Sequence, residues 1–304
     1  MNAREWLASA QPEFPDISLV GAPVSRASIS PSQAWTTPPA FRETLARFPT
    51  WEAAHEIDLA ELAIRDTGDV ADDRGDADGV AGRERVRTAC AEAAALGGGV
   101  FVVGGDNSVT VPAMQALMAS RPGDGWGLVT LDAHHDCRPL DDGPNNGTVV
   151  RELIEAGLPG KRVAQIGIHP LGNDLDNAQW AREQGVHVYP VREVRLHGAH
   201  AILHEAQLAL TGAGVTSLYV DFDLDCADRS EAPACPASLP GGMAAADLIQ
   251  FARLLGNHFG VAGADITEVD ASADLADTTM RLAACVFLSF CAGYACRQGS
   301  QSRR

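Results

Sequence analysis

The chain has 304 residues, of which 46% are hydrophobic, and a formal net charge of −17 at pH 7. A chain this apolar can bury a large core, which excludes wholesale disorder. The negative charge, with no basic run, argues against a nucleic-acid or anionic-membrane partner. Most of this charge is expected to serve solubility, but some carboxylates can lie together and hold metal.

Residues 1–83 show no regular hydrophobic pattern. Prolines punctuate residues 31–49, and an acidic stretch rich in Gly and Asp follows at residues 66–82. Segments of this composition are typically exposed connections. We therefore expect an irregular N-terminal part, residues 1–83, within a single domain that spans residues 1–304.

From about residue 84, apolar runs of strand length alternate with helix-like segments. Such alternation is typical of a parallel sheet that is buried on both faces. The fold class predicted from this pattern is α/β, with one doubly wound and mostly parallel sheet. The predicted strands are 99–105, 127–131, 163–168, 217–224 and 261–266, and the predicted helices are 109–120, 148–156, 177–184, 244–258 and 278–295.

Two features indicate a cytoplasmic protein. The first ten residues carry Arg4 and Glu5 and lack the apolar run of a signal peptide. The seven cysteines are irregularly spaced and form no CxxC pair, which indicates reduced thiols. The longest apolar stretch, Leu282–Ala295, is too short to span a bilayer and predicts a buried core helix.

Ligands of open parallel sheets bind outside the carboxyl ends of the strands, and one predicted strand ends in Asp132-Ala133-His134-His135-Asp136. Alternate side chains of an extended backbone point the same way, so Asp132, His134 and Asp136 face one point. A polar strand end that satisfies itself is the alternative interpretation. Two carboxylates and an imidazole on one face favour a bound cation.

A second strand ends in Asp221-Phe222-Asp223-Leu224-Asp225. Like charges this close raise one another's pKa unless they are neutralised. Protonated carboxyl groups are one solution, and a divalent metal is the usual one. Oxygen-rich sites with some imidazole suit manganese better than zinc. The two motifs together predict a binuclear, carboxylate-rich metal centre.

Two further strand ends carry Gly104-Gly105-Asp106-Asn107-Ser108 and Asp265-Ile266-Thr267-Glu268. Glycines allow a tight turn and a close backbone approach. A glutamate near a metal site, here Glu268, can bind a cationic group of a substrate, or it can be an ordinary solvated loop residue.

These four motifs, in their order along the chain between Gly99 and Ala295, resemble the ureohydrolase (arginase) superfamily. The resemblance implies a three-layer α/β/α sandwich, two Mn²⁺ ions, and hydrolysis of a C–N bond in a small amidine or guanidino substrate by a metal-bound hydroxide. It also implies that the chain is a homo-oligomer. Asp136 would orient the hydroxide, and Glu268 would bind the cationic end of the substrate. The implied metal ligands are Asp132, His134, Asp136, Asp223 and Asp225.

The sequence departs from the family at two positions. Asn107 stands where the family usually has a metal-ligating His, so we expect a weak amide ligand there and a metal that is loosely bound or absent. Asn146 stands roughly where arginases carry a His proposed as a proton shuttle. Because Asn is not a general acid at neutral pH, arginase activity is disfavoured.

The substrate is predicted from smaller details. Arg138 can form a bidentate pair with a substrate carboxylate, or it can be a surface arginine. Asn145 and Asn173 are expected to line the substrate pocket. Residues 165–173 and 229–242 most resemble formimidoylglutamase, which hydrolyses N-formimidoyl-L-glutamate to L-glutamate and formamide. The alternatives are hydrolysis of a guanidino substrate, as in agmatinase, guanidinobutyrase or arginase, and a metal-poor pseudoenzyme.

Overall fold

Ten strands and nine helices form in residues 1–9, 11–258 and 260–301, which the computed structural model describes. The strands are β1 (Ile17–Gly21), β2 (Trp51–Glu52), β3 (Ile57–Asp58), β4 (Ile64–Asp69), β5 (Gly99–Val103), β6 (Trp126–Leu131), β7 (Val163–Ile168), β8 (His187–Pro190), β9 (Ser217–Asp223) and β10 (Val261–Thr267). The helices are α1 (Ala3–Ser9), α2 (Thr37–Thr44), α3 (Val80–Ala95), α4 (Thr110–Ser120), α5 (Val149–Glu155), α6 (Leu175–Glu183), α7 (Val191–Gly212), α8 (Ala245–Gly256) and α9 (Thr278–Gln301).

Eight strands form one parallel sheet in the order β4-β1-β5-β10-β9-β6-β7-β8. Every residue of β5, β6, β7, β9 and β10 is buried, which explains why these strands read as unbroken apolar runs. One core packs α1, α2, α7, α8 and α9 against the sheet, and the other packs α3 to α6. The predicted three-layer α/β/α sandwich is confirmed.

Residues 1–83 are more regular than expected. They supply α1, α2, the start of α3 and two strands of the main sheet, and β1 lies between β4 and β5 with all five of its residues buried. The expectation of an irregular N-terminal part is wrong for these segments. β1 is short and contains Ser18 and Gly21, so its apolar run is too brief to stand out. The edge strand β8 and the long helix α7 also escaped prediction.

The strand order brings distant motifs to one edge of the sheet. β6 and β9 are neighbours, and Leu131 pairs with Phe222 directly before Asp132 and Asp223. β5 and β10 are also neighbours, so the turn after Val103 lies beside the segment that leads to Glu268. The carboxyl ends of four strands therefore carry all four motifs.

Helix α9 is the apolar helix predicted from the sequence. Its segment Thr278–Arg297 is long and apolar enough to cross a membrane, but 72% of it is buried inside the structure. Phe287 is fully buried there, and its ring lies 5.4 Å from that of Phe41 and 4.9 Å from that of Phe101. This burial identifies α9 as a core helix.

Replacing Phe287 with Ala should destabilise the protein by about 3–5 kcal/mol, because the cavity it leaves is lined by rings that cannot collapse fully. The free energy of unfolding from urea denaturation measures this loss. Leu208→Ala on α7, where Leu208 is 62% exposed, is the matched control and should change little. An equal loss for both variants would contradict the packing described here.

Candidate functional site

Five side chains meet at the carboxyl ends of β6 and β9. Potential ligand atoms of Asp132, His134 and Asp225 lie within 4.8 Å of one another, and so do those of Asp132, Asp136 and Asp223. Asp132 belongs to both groups, so one carboxylate can serve two cations. The structure thus brings together all five of the predicted Asp and His ligands.

The donor chemistry of this cluster fits divalent cations. Asp132, Asp223 and Asp225 are buried, and Asp132 Oδ2 has no hydrogen-bond partner among the described residues. Burial, and then the charge of Asp225, raises the pKa of Asp132 to about 6. Burial and neighbouring carboxylates also raise the pKa of Asp136 and of Asp223 well above the ordinary value. Carboxylate oxygens with one imidazole are ligands that suit Mn²⁺.

In the absence of metal, the protonated His134 is the positively charged partner of these carboxylates. Its Nδ1 lies 2.9 Å from Asp225 Oδ2 and 3.6 Å from Asp132 Oδ1. The charge of Asp225 raises the pKa of His134 to about 12, against the opposing effect of burial. Burial raises the pKa of Asp225, but the His134 charge and the hydrogen bonds that Asp225 accepts together outweigh it, and the net shift is downward. A metal that binds Nδ1 must displace this proton, since a ligating imidazole is neutral.

Asp136 and Glu268 adopt left-handed backbone conformations, with φ of 48° and 65°. Few residues other than glycine do so, and surrounding contacts must hold them there. The carbonyl of Asp136 accepts hydrogen bonds from Val150 N (3.1 Å) and Arg151 N (3.2 Å), at the start of α5. Glu268 N donates to Gly105 O at 2.9 Å. Backbone contacts thus fix both carboxylates at the site.

The turn after β5 needs glycine at position 105. A Cβ atom on Gly105 would lie 1.7 Å from Val24 O. The next residue, Asp106, donates its N–H to the same carbonyl oxygen at 3.0 Å. This close approach of two backbones brings Asn107 to the cluster of potential metal ligands.

The side chain of Asn107 is oriented differently from the sequence expectation. Its Nδ2 donates to Asp136 Oδ2 at 2.9 Å. Its Oδ1 accepts from the hydroxyls of Thr110 (3.0 Å) and Thr267 (3.2 Å). An NH₂ group cannot bind a cation. In this arrangement Asn107 is a hydrogen-bond donor to Asp136, and its role as a weak amide ligand of a metal stays a prediction.

Glu268 is held by two donors on one oxygen. Its Oε1 accepts from Asn146 Nδ2 at 2.9 Å and from Asn107 N at 2.7 Å. Burial, and then the charge of Asp106, raises the pKa of Glu268 to about 8. Asn146 also accepts the N–H of Ile29 on its Oδ1 at 2.9 Å. Asn146 therefore ties Glu268 to the N-terminal part of the chain.

A cavity of about 140 Å³ opens onto this cluster of Asp and His side chains. Arg138 is the only arginine or lysine among its lining residues, and no described residue forms a hydrogen bond or ion pair with its guanidinium. The lining residues are Ile29, Ser30, His134, Asp136, Arg138, Asn146, Gly147, Gly172, Asn173, Asp174, Asn177, Asp223, Asp225, Ala237 and Glu268.

The predicted substrate-binding asparagines have other partners. Asn173 lines the cavity, but its Oδ1 accepts from His135 N (2.7 Å) and its Nδ2 donates to Ala133 O (2.9 Å), so it braces the metal-ligand segment. Asn145 lies outside the cavity lining. Its Oδ1 accepts from Gly147 N at 2.9 Å, and its Nδ2 donates to Gly143 O at 3.3 Å. Asn145 thus stabilises its own turn, and its expected contact with substrate stays a prediction.

Sequence reasoning missed Ile29 and Ser30, which line the cavity from the loop after β1. This loop shows no hydrophobic periodicity that would mark it as part of a site. Its contact with Asn146 bridges 117 residues of sequence and leaves no local signal.

A profile of the arginase family matches residues 15–293. The chain therefore belongs to the arginase family, and this membership confirms the resemblance and the expected class, a hydrolase of that family. The formimidoylglutamase of Halalkalibacterium halodurans is 39% identical over 278 residues, which cover 90% of this chain and 86% of that protein.

Two solved structures share the fold. The formimidoylglutamase of Bacillus subtilis superposes with a TM-score of 0.85 at 28% identity, over 91% of this chain and 86% of that one. The Trypanosoma cruzi formiminoglutamase with Mn²⁺ superposes with a TM-score of 0.86 at 27% identity, over 98% of this chain and 99% of that one.

Without metal, the site should destabilise the protein increasingly as pH rises from about 4 to about 8. The raised pKa values of Asp132 and Glu268 mean that the folded state keeps protons that the unfolded chain has lost. The folding stability that these two carboxyl groups contribute is fully present below their unfolded pKa and is lost as pH rises through their folded pKa. Melting temperatures in a metal chelator, at pH 5 and pH 8, measure it.

The matched variant is Asp223→Asn, which removes one of the crowded charges and should reduce this pH dependence. Saturating Mn²⁺ should raise the wild-type melting temperature more at pH 8 than at pH 5, because protons compete for the ligands. At about 100 times its Kd a ligand stabilises the folded state by about 2.7 kcal/mol. A pH dependence equal in both proteins would contradict the crowding described here.

Replacing Asn107 with His should tighten Mn²⁺ binding, because an imidazole adds a ligand where the Asn107 amide directs its N–H toward Asp136. Asn107→Ala is the control. It removes the donor to Asp136 without adding a ligand, and should weaken binding by about tenfold, as for other partners of ligating carboxylates. Titration calorimetry measures both affinities. A His variant that binds Mn²⁺ no tighter than the wild type would count against the placement of this turn.

Proposed function

We propose that this chain is a manganese-dependent hydrolase that cleaves the C–N bond of an amidine, with N-formimidoyl-L-glutamate as its substrate. The products would be L-glutamate and formamide. The observation that carries the proposal is one cavity with a cluster of metal-ligand side chains and an unpaired arginine, Arg138, in its lining. Similarity to formimidoylglutamases over most of the chain supports the same substrate.

Two Mn²⁺ ions are proposed, one held by Asp132, His134 and Asp225 and the other by Asp132, Asp136 and Asp223. When bound, two such cations lower the pKa of a water molecule and supply the nucleophile near neutral pH. The complete set of five acidic and imidazole ligands argues against a metal-poor pseudoenzyme, an alternative that rested on Asn107 alone.

Asp136 is proposed to orient the nucleophile by accepting its hydrogen bond. Burial and the Asp132 charge raise the pKa of Asp136, and the N–H donated by Asn107 opposes that rise. The asparagine thus favours the ionised carboxylate, which is the form that accepts a hydrogen bond. The left-handed backbone of Asp136 and its contacts with α5 hold the carboxylate in place.

Glu268 is proposed to bind the amidinium nitrogens of the substrate. Both of its described hydrogen bonds fall on Oε1, which leaves Oε2 to accept an N–H of the substrate. A cationic amidine beside Glu268 favours the charged carboxylate. Asn146 donates a hydrogen bond to Glu268 and so holds its carboxylate in place. Because the Asn146 side chain is an amide, it does not transfer protons at neutral pH.

Arg138 is proposed to bind a carboxylate at the other end of the substrate. A guanidinium pairs with a carboxylate through two parallel N–H bonds, and such charged pairs are stronger than neutral hydrogen bonds. N-formimidoyl-L-glutamate carries carboxylates as well as the amidine, so it matches both ends of the cavity. The alternative, a guanidino hydrolase acting on a cationic amine such as agmatine, would place a positive charge near Arg138.

The protein loaded with manganese should release formamide from N-formimidoyl-L-glutamate and act poorly on arginine, agmatine and guanidinobutyrate. Arg138→Ala should raise KM about tenfold or more with little change in kcat, since the lost pair binds ground state and transition state alike. Arg192→Ala, on an exposed arginine of α7, is the control.

Absence of formamide release above background would remove formimidoylglutamate as the substrate. Faster turnover of agmatine, with no effect of Arg138→Ala, would support the guanidino alternative.

We also propose that the protein is a cytoplasmic homo-oligomer. All seven cysteines are free, as expected in a reducing compartment. The oligomeric state rests on the family resemblance, and light scattering of the purified protein measures it directly.

A further inference from the structure

Gly147 lies between the side chains of Arg138 and Ile29. A Cβ atom on Gly147 would meet Arg138 Cδ at 2.8 Å, Arg138 Nε at 3.0 Å and Ile29 Cδ1 at 2.8 Å. The backbones are also joined, since Arg138 N donates to Gly147 O at 3.0 Å. The Arg138 side chain therefore packs against Gly147 so closely that a larger residue at position 147 would collide with it.

Ile29, the second residue beside Gly147, belongs to the loop that follows β1. Ile29 N donates to Asn146 Oδ1 at 2.9 Å, and Asn146 N donates to Ala27 O at 3.1 Å. Two hydrogen bonds to one residue thus fix the loop against the segment that contains Gly147. Ile29 remains 51% exposed at the cavity, an unusual position for a large apolar side chain unless it packs against a neighbouring stem.

No hydrogen bond or ion pair from the described residues holds the guanidinium of Arg138, so packing of its aliphatic stem decides where the charge lies. We propose that Gly147 and Ile29 are positioning residues that direct Arg138 into the cavity, and that they set specificity for amidines that carry a carboxylate. This inference rests on the proposed function, in which Arg138 binds the carboxylate of the substrate.

The same segment links the two ends of the substrate site. Asn146 holds Ile29 through its Oδ1 and Glu268 through its Nδ2, at 2.9 Å each. The Asn146 side chain therefore fixes both Ile29, which lies beside Arg138, and Glu268, which is proposed to bind the amidinium. The distance between Glu268 and Arg138 is therefore fixed, and it selects substrates whose cationic and anionic ends have a matching spacing.

Gly147→Ala tests this positioning role. The three atoms nearest to the added methyl group all belong to the side chains of Arg138 and Ile29, so we expect the fold to be retained and the Arg138 side chain to move. A small displacement of a binding group is costly because charged hydrogen bonds need close alignment. Binding of L-glutamate to the manganese-loaded enzyme, measured by calorimetry, should weaken about tenfold, with KM raised and kcat within about twofold of wild type.

The decisive comparison is a double-mutant cycle. If Gly147 acts through Arg138, the double variant Gly147→Ala/Arg138→Ala should bind L-glutamate no more weakly than Arg138→Ala alone. Gly212→Ala is the matched control, since an added Cβ there meets nothing within 4 Å. Ile29→Ala should weaken binding in the same non-additive way, and Ile29→Val should retain most of it. The Ile29 pair decides the question if Gly147→Ala does not fold.

Additive effects in the cycle, or wild-type binding by Gly147→Ala, would overturn this inference. The proposed function fails separately, if the wild type binds L-glutamate and shows the coupling but releases no formamide. A wild type that binds no L-glutamate would overturn both.

Discussion

Mutual repulsion among buried carboxylates is the constraint on which the rest of this structure depends. Asp132, Asp136, Asp223 and Asp225 lie together at one edge of the sheet, largely out of water, and burial with crowding raises the pKa of three of them. Such a cluster is stable only with protons or cations among its oxygens. Without metal, the protonated His134 supplies one positive charge. With divalent metals bound, His134 would be a neutral ligand and the metals would supply the positive charge.

The remainder of the site holds these carboxylates in place. Asn107 and Asn173 both face the metal-ligand segments, yet each acts through hydrogen bonds to protein, one to Asp136 and the other to backbone around His134. Left-handed backbone at Asp136 and Glu268 adds strain that only a rigid surrounding can hold. The sheet provides that rigidity, because its central strands are buried on both faces.

Much of this could be predicted from local sequence. Alternation along an extended strand places Asp132, His134 and Asp136 on one side, and unbroken apolar runs identify the buried parallel strands. The adjacency of β6 and β9, which joins the two aspartate motifs, follows from tertiary packing and has no local signal. The family resemblance supplied what the strand patterns could not.

The differences at polar side chains share one physical cause, which is that hydrogen-bond partners in the folded chain decide how each side chain is oriented. Thr110 and Thr267 turn the amide of Asn107, and Thr267 is 160 residues away in sequence. Asn145 and Asn146 are neighbours, yet one completes its own turn while the other reaches Glu268. Strand β1 and Ile29 were missed because they lie in short segments without hydrophobic periodicity, whose positions are determined by tertiary contacts.

The central claim is that two metals share Asp132, and the number of Mn²⁺ ions bound per chain tests it most directly. Equilibrium dialysis with elemental analysis should give two ions per wild-type chain. Asp132→Ala should lose both together, since it removes a ligand from each group. A wild type that binds no Mn²⁺, or an Asp132→Ala variant that keeps one ion at wild-type affinity, would contradict the account.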